Sequence, residues 1–183
     1  MFDDFGCTYW LEKELSRGYN SYKERWQVAP AEANLVGSQL QGQQLHAPAL
    51  DIDLPASLVE FRHSGDQTSW LLKIQARCGE AAVTQLREVM DELDLTRPNP
   101  VQLSVADHGV VVVLTQPAFL VPSSTAGHFH LYLNKALSWA DYRKLLKALR
   151  RCDVIEDGFY RLSLQRGQTF LRPPGVLKQP AYA

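Results

Sequence analysis

The chain has 183 residues, 45% of them hydrophobic, and a formal charge of -1; this allows one domain with a sizeable core and gives no overall electrostatic pull toward nucleic acid. Its three cysteines, Cys7, Cys78 and Cys152, form no C-x-x-C, which argues against a disulfide framework or a zinc knuckle. The acidic start Met-Phe-Asp-Asp-Phe and the lack of a long apolar run argue against a signal peptide and a membrane span, so a reduced, cytoplasmic protein is expected.

Taken in order, residues 1–45 predict a helical segment and loop. Tyr9, Trp10, Leu11, Leu15, Tyr19, Tyr22 and Trp26 recur at roughly helical spacing, with Gly18 as an interruption. Gly37 to Gln44 reads as a loop leading into the first central strand. That strand is His46 to Pro55, where Asp51 and Asp53 alternate with Leu50, Ile52 and Leu54. A strand of this pattern carries both carboxylates on one face and the aliphatics on the other. Two acids so placed repel each other, and a divalent cation relieves the repulsion; oxygen ligands suit Mg²⁺ or Mn²⁺.

A hairpin follows, Leu58 to Arg62 and Ser69 to Gln75 about His63-Ser64-Gly65-Asp66. Gly79 to Leu93 carries Ala82, Val83, Leu86, Val89, Met90 and Leu93 on one helical face, and Arg97-Pro98-Asn99-Pro100 ends it. Val101–Ala106 and Val110–Leu114 flank Asp107-His108-Gly109 as a second hairpin. Phe119-Leu120-Val121 is a short apolar strand. A small-residue loop, Ser123-Ser124-Thr125-Ala126-Gly127, then leads into a strand in which His128, His130 and Tyr132 share a face. Ser138, with Asp141 three residues on, caps a helix whose buried side is Trp139, Tyr142, Leu145, Leu146 and Leu149. Phe159–Leu164 and Thr169–Leu171 predict a closing hairpin around Arg166-Gly167-Gln168, and the chain from Pro173 is Pro-rich and extended. The order β-β-β-α-β-β-β-α-β-β points to an α+β sandwich.

Three clusters carry candidate chemistry. The first is Asp51 and Asp53. The second is the Ser123–Gly127 loop with His128 and His130, where free amides, hydroxyls and an imidazole make a phosphate cradle. The third is Glu156 and Asp157, followed by Arg161, Arg166 and Arg172, whose guanidiniums suit phosphate oxygens. Basic residues crowd from Arg143 through Lys178, so any nucleic-acid contact is expected to come from a local patch.

In their order these clusters resemble the archaeo-eukaryotic primase superfamily, which includes the primase-polymerases and the polymerase domains of bacterial end-joining ligases. The first motif matches Leu50-Asp51-Ile52-Asp53. The second matches Ser123 through Tyr132, with Gly127, His130 and Tyr132 resembling a Gly-x-His-x-Tyr form that carries one extra residue here. The third carboxylate is Glu156 or Asp157, and Leu171-Arg172-Pro173-Pro174-Gly175 is similar to the Arg-x-Pro-Gly text that follows it in the family. The resemblance covers residues 46–178, leaving 1–45 as a helical appendage and 179–183 as a tail. It implies an RRM-like, primase-type, antiparallel-rich mixed sheet packed with helices.

It also implies nucleotidyl transfer with two Mg²⁺ or Mn²⁺ ions held by Asp51, Asp53 and Glu156 (or Asp157), in replication or repair. The nucleoside triphosphate would lie against His130 (or His128), Ser123, Ser124, Thr125 and Gly127, with Arg161, Arg166 and Arg172. Without a basic surplus such a protein would hold nucleic acid weakly alone and work with a protein partner. The same residues leave open a non-catalytic nucleotide- or nucleic-acid-binding module on this fold. They also leave open a metal-dependent phosphoesterase in which His128 and His130 join the aspartates on Mn²⁺ or Zn²⁺, and a small adaptor with no site here.

Overall fold

The computed structural model describes residues 6–17, 20–62, 68–75, 78–96 and 109–173. The first of its elements overturn the helical expectation for residues 1–45. β1 (Cys7–Arg17) and β2 (Asn20–Gln27) pair antiparallel from Trp10↔Gln27 to Arg17↔Asn20. Aromatic residues spaced three or four apart also satisfy a strand, where their large flat side chains are favoured. Gly18 lies outside the described residues. A short 3-10 helix, Pro30–Glu32, leads to β3 (Leu35–Leu40). Asn34 pins this turn to β1: its side chain accepts from the Glu12 amide at 2.7 Å and donates to the Glu12 carbonyl at 2.8 Å.

These strands are not an appendage. β3 pairs β1 and also β4 (Leu45–His46), β12 (Phe170–Leu171) adds to β3, and β11 (Leu137–Ser138) adds to β4, giving a six-stranded sheet drawn from both ends of the chain. Gly37 makes the crossing of β1, β3 and β12 possible, since a Cβ there would lie 2.7 Å from Gln168 Oε1, 2.7 Å from Thr8 Oγ1 and 2.9 Å from Trp10 Nε1.

A second sheet runs β5-β10-β9, from β5 (Ala49–Ile52), β10 (Phe129–Leu133) and β9 (Ala118–Pro122). A third runs β6-β7-β8, from β6 (Ala56–Arg62), β7 (Thr68–Ile74) and β8 (Val110–Leu114). The hairpin expected at residues 58–75 is therefore present as β6 and β7. Of the one expected at 101–114, only β8 falls within the described residues; residues 101–106 and the 107–108 turn lie outside them, as does the chain from Pro174. α1 (Glu80–Glu92) and α2 (Trp139–Arg151) cover the sheets from one side. Ser138 caps α2 as expected, its Oγ accepting from the Asp141 amide at 3.1 Å. No helix among the described residues is long and apolar enough to cross a membrane.

The expected closing hairpin is also corrected. Asp157–Arg166 is a helix, α3, with an acid in its first turn and Gly167 in the left-handed conformation at φ 71° beyond its end. Those are helix start and stop signals; the apparent alternation in Phe159–Leu164 leaves Leu162 exposed and does not mark a sheet face. Only Phe170 and Leu171 are strand, opposite Gly37 and Val36.

The strand alternation of β5 and β10 decides where a site can form. Leu50, Ile52, Leu131 and Leu133 face the main core with α1 and α2, each worth roughly 1.5–3 kcal/mol when buried. Ala49 and Tyr132 face a second, smaller core with Cys7, Val36, Leu40, Ala47 and Leu171 under the six-stranded sheet. Asp51, Asp53, His128 and His130 therefore follow Ala49 and Tyr132 onto that second face, at the end where the two sheets part.

Candidate functional site

The cross-strand register builds the site. Tyr132 stands opposite Ala49 and His130 opposite Asp51; one more alternate step carries His128 to Asp53. The contacts agree: His128 Nδ1 lies 2.5 Å from Asp53 Oδ1, and His130 Nε2 lies 3.7 Å from Asp51 Oδ1. Asp51, Asp53 and His128 each place one ligand atom within 4.8 Å of the others, a group that could hold a metal ion.

The turn after α2 completes it. Asp153, at φ 53°, reverses the chain, so that the Val154 carbonyl accepts from the Asp53 amide at 3.2 Å. The Glu156 amide donates to Asp53 Oδ2 at 3.0 Å. Asp53 is thus held by the backbone on one carboxylate oxygen and by His128 on the other.

Electrostatically the floor is an acid pair only partly offset by His128 and Arg172. Burial pushes the Asp51 carboxyl above its usual range; His128 and Arg172 oppose this and Glu156 adds to it. Burial and the charge of Asp51 push Asp53 up as well, against the hydrogen bond from His128. Burial lowers His130, against the backbone of Arg172 and the charge of Asp53, which act to raise it. Tyr132 donates to the Arg172 carbonyl, at 3.4 Å. Tyr132 therefore positions Arg172, while His128 belongs with the acids.

The cleft over this floor has a volume of about 380 Å³. From the residues expected at the site it gathers Asp51, Asp53, Ser123, Thr125, His128, His130, Glu156, Arg166 and Arg172. Four others are not brought in. Asp157 is turned away in ion pairs with Arg150 at 2.6 Å and Arg161 at 2.5 Å, which removes Arg161 too. Ser124 and Gly127 are exposed in the loop and do not line the cleft. Part of the expected amide cradle is already engaged. The Ser123 amide donates to the His128 carbonyl at 2.9 Å, the His128 amide to Thr125 at 3.1 Å, and the Thr125 amide to Ser123 Oγ at 3.4 Å. These three donors are engaged in closing the β9–β10 turn. Glu156, expected as the third metal ligand, lines the cleft but lies outside the Asp51–Asp53–His128 group.

Sequence reasoning missed the opposite wall: Glu12, Arg25, Leu35, Phe170 and Leu171. Glu12 and Arg25 face each other across the β1–β2 pair as an ion pair. A hairpin reading of residues 7–27 was the one signal that could have placed them together.

No family model, no curated protein and no solved structure matches the chain.

Proposed function

We propose that the cleft carries metal-dependent nucleotidyl transfer of the primase-polymerase kind, on a nucleoside triphosphate and a nucleic-acid strand. The observation that carries this reading is the convergence of Asp51, Asp53 and His128 in one cleft with Arg166 and Arg172. An acid pair raised by burial and mutual repulsion favours a divalent cation. Guanidiniums beside it favour the phosphates that such a cation accompanies.

On this reading Asp51, Asp53 and His128 would hold Mg²⁺ or Mn²⁺. When bound, the ion supplies the charge that eases deprotonation of an attacking 3′-hydroxyl and neutralises the departing pyrophosphate. One oxygen of Asp53 is fixed by the Glu156 amide, and the other would exchange its contact with His128 for the ion. Arg172, tethered through its backbone by Tyr132, orients phosphate oxygens, and the Ser123 and Thr125 hydroxyls add donors at the rim.

The test is incorporation of labelled nucleotides on primed and unprimed templates with Mg²⁺ or Mn²⁺. Asp51→Ala should abolish it, and incorporation surviving that change rejects the assignment. The imidazole among the ligands favours one second reading, a phosphoesterase on Mn²⁺ or Zn²⁺. It predicts metal-dependent release of phosphate or nucleotide from a phosphoester and no strand extension.

A further inference from the structure

In the same cleft as the acids, two arginines from different parts of the chain meet around one ring. Arg25, on β2, places its guanidinium carbon 5.1 Å from the Phe170 ring centre, and Arg166, at the end of α3, places its own at 5.9 Å. Arg172 follows two residues after Phe170, and all four residues line the cleft. Trp10 packs edge-on against the same ring at 5.8 Å.

The chemistry of this arrangement is specific. A guanidinium lying over an aromatic ring uses its face there and keeps its N–H edges for an anion. With two guanidiniums over it and an indole against it, Phe170 orients the arginines and leaves no clear face for a stacked base. Glu12 pairs with Arg25. Among the described residues no carboxylate is within ion-pair reach of Arg166 or Arg172. Arg166 and Arg172 thus keep their N–H edges outside any such pair, in a cleft that Glu12, Asp51, Asp53 and Glu156 also line. Arg25 also keeps a buried Nε donor with no partner among the described residues. Crowding acts in the same direction: burial, then the charge of Arg25, lowers the pKa of Arg166.

We propose that Arg25 and Arg166, braced by Phe170, form a second anion site that takes a phosphate group of the ligand other than the metal-bound one. This deepens the reading of the cleft as a phosphate-ligand site and rests on it for the identity of the anion. The occupant is a phosphate of an oligophosphate tail or of a strand's phosphodiester backbone, recognised without its base.

Binding to the full chain in EDTA isolates this site from any metal. Two probes separate the sources: inorganic tripolyphosphate, and a labelled abasic deoxyribose-phosphate oligomer that has phosphodiesters and no bases. At least one should bind, and whichever does identifies the source. Arg166→Gln should weaken that probe by about tenfold or more, the scale of a lost charge-assisted contact. Arg166→Lys, which keeps the charge and loses the planar fork, should recover part of it. Glu12→Gln, which removes the competing acid, should tighten it. Melting curves confirm that each variant is folded, with Arg25→Lys as the substitute should Arg166→Gln fail to fold.

The proposal is overturned if neither probe binds, or if a folded Arg166→Gln and Arg25→Lys both bind as the wild type does. Mn²⁺ binding, measured separately with the Asp51→Asn protein as control, keeps the two ideas apart. Loss of the arginine effect with Mn²⁺ binding intact sinks the second anion site alone. An arginine effect in a protein that binds no metal sinks the metal reading alone.

Discussion

Asp51→Asn should stabilise the metal-free protein at neutral pH and abolish its stabilisation by Mn²⁺, a pair of opposite effects that a purely structural aspartate cannot give. The ligand atoms of Asp51 and Asp53 lie within 4.8 Å of each other, so two full charges there repel by about 3.5 kcal/mol at an effective dielectric of 20. The Asp51 side chain is 35% exposed and His128 offsets part of the repulsion, which brings the expected gain to about 1–2 kcal/mol, roughly 3–8 °C in Tm for a chain of this size.

The pH sign follows from the raised carboxyl. The folded protein holds the Asp51 proton more tightly than the unfolded chain, so the wild type loses stability as pH rises through the folded pKa. The advantage of the Asn variant is then full at pH 7 and absent once pH falls below the unfolded value of about 3.9. Adding Mn²⁺ at a hundred times its Kd should stabilise the wild type by about 2.7 kcal/mol and leave the variant unmoved. Thermal melts in EDTA at pH 7 and at pH 3.5, repeated at pH 7 with Mn²⁺, measure all three. A variant less stable than the wild type in EDTA at pH 7, or equally stabilised by Mn²⁺, refutes the reasoning.

Mn²⁺ affinity itself should fall on acidification below neutrality, because the raised Asp51 and Asp53 carboxyls must lose their protons to bind; calorimetric titrations at pH 7.5 and 5 test this, and an affinity independent of pH argues against carboxylate ligation. Tyr142→Phe should cost about 2–4 kcal/mol in urea unfolding. The Tyr142 hydroxyl accepts from the Ala49 amide at 2.9 Å, donates to the Ala49 carbonyl at 3.0 Å and meets Thr169 Oγ1 at 2.9 Å, all buried. A loss under 1 kcal/mol would mean that another partner, such as a water, takes over these groups. Gly37→Ala should destabilise by about 1–3 kcal/mol through overpacking, since its methyl meets Gln168, Thr8 and Trp10 at the contacts given above; an unchanged denaturation midpoint would show that this crossing is looser than its distances indicate.

The acid pair, the histidine strand and their common face were legible in the sequence, because strand alternation is local and Leu50-Asp51-Ile52-Asp53 and His128-Phe129-His130 each state it within four residues. α1, α2 and the Ser138 cap were legible for the same reason, as was the α+β class. Residues 7–27 and 157–166 were not. In the first, aromatic spacing fits a strand as well as a helix, and the choice is made by the pairing of β1 with β2. In the second, helix start and stop signals competed with a short apolar alternation.

The sequence by itself determined which side chains share a face and where two carboxylates must repel. Only the tertiary structure decided that His128 and not Glu156 groups with them, that Asp157 and Arg161 pair with each other outside the cleft, and that Arg25 reaches it at all. Those choices depend on register and on contacts between residues more than a hundred positions apart, such as Glu156 with Asp53; a one-residue slip in either would turn each side chain to the other face.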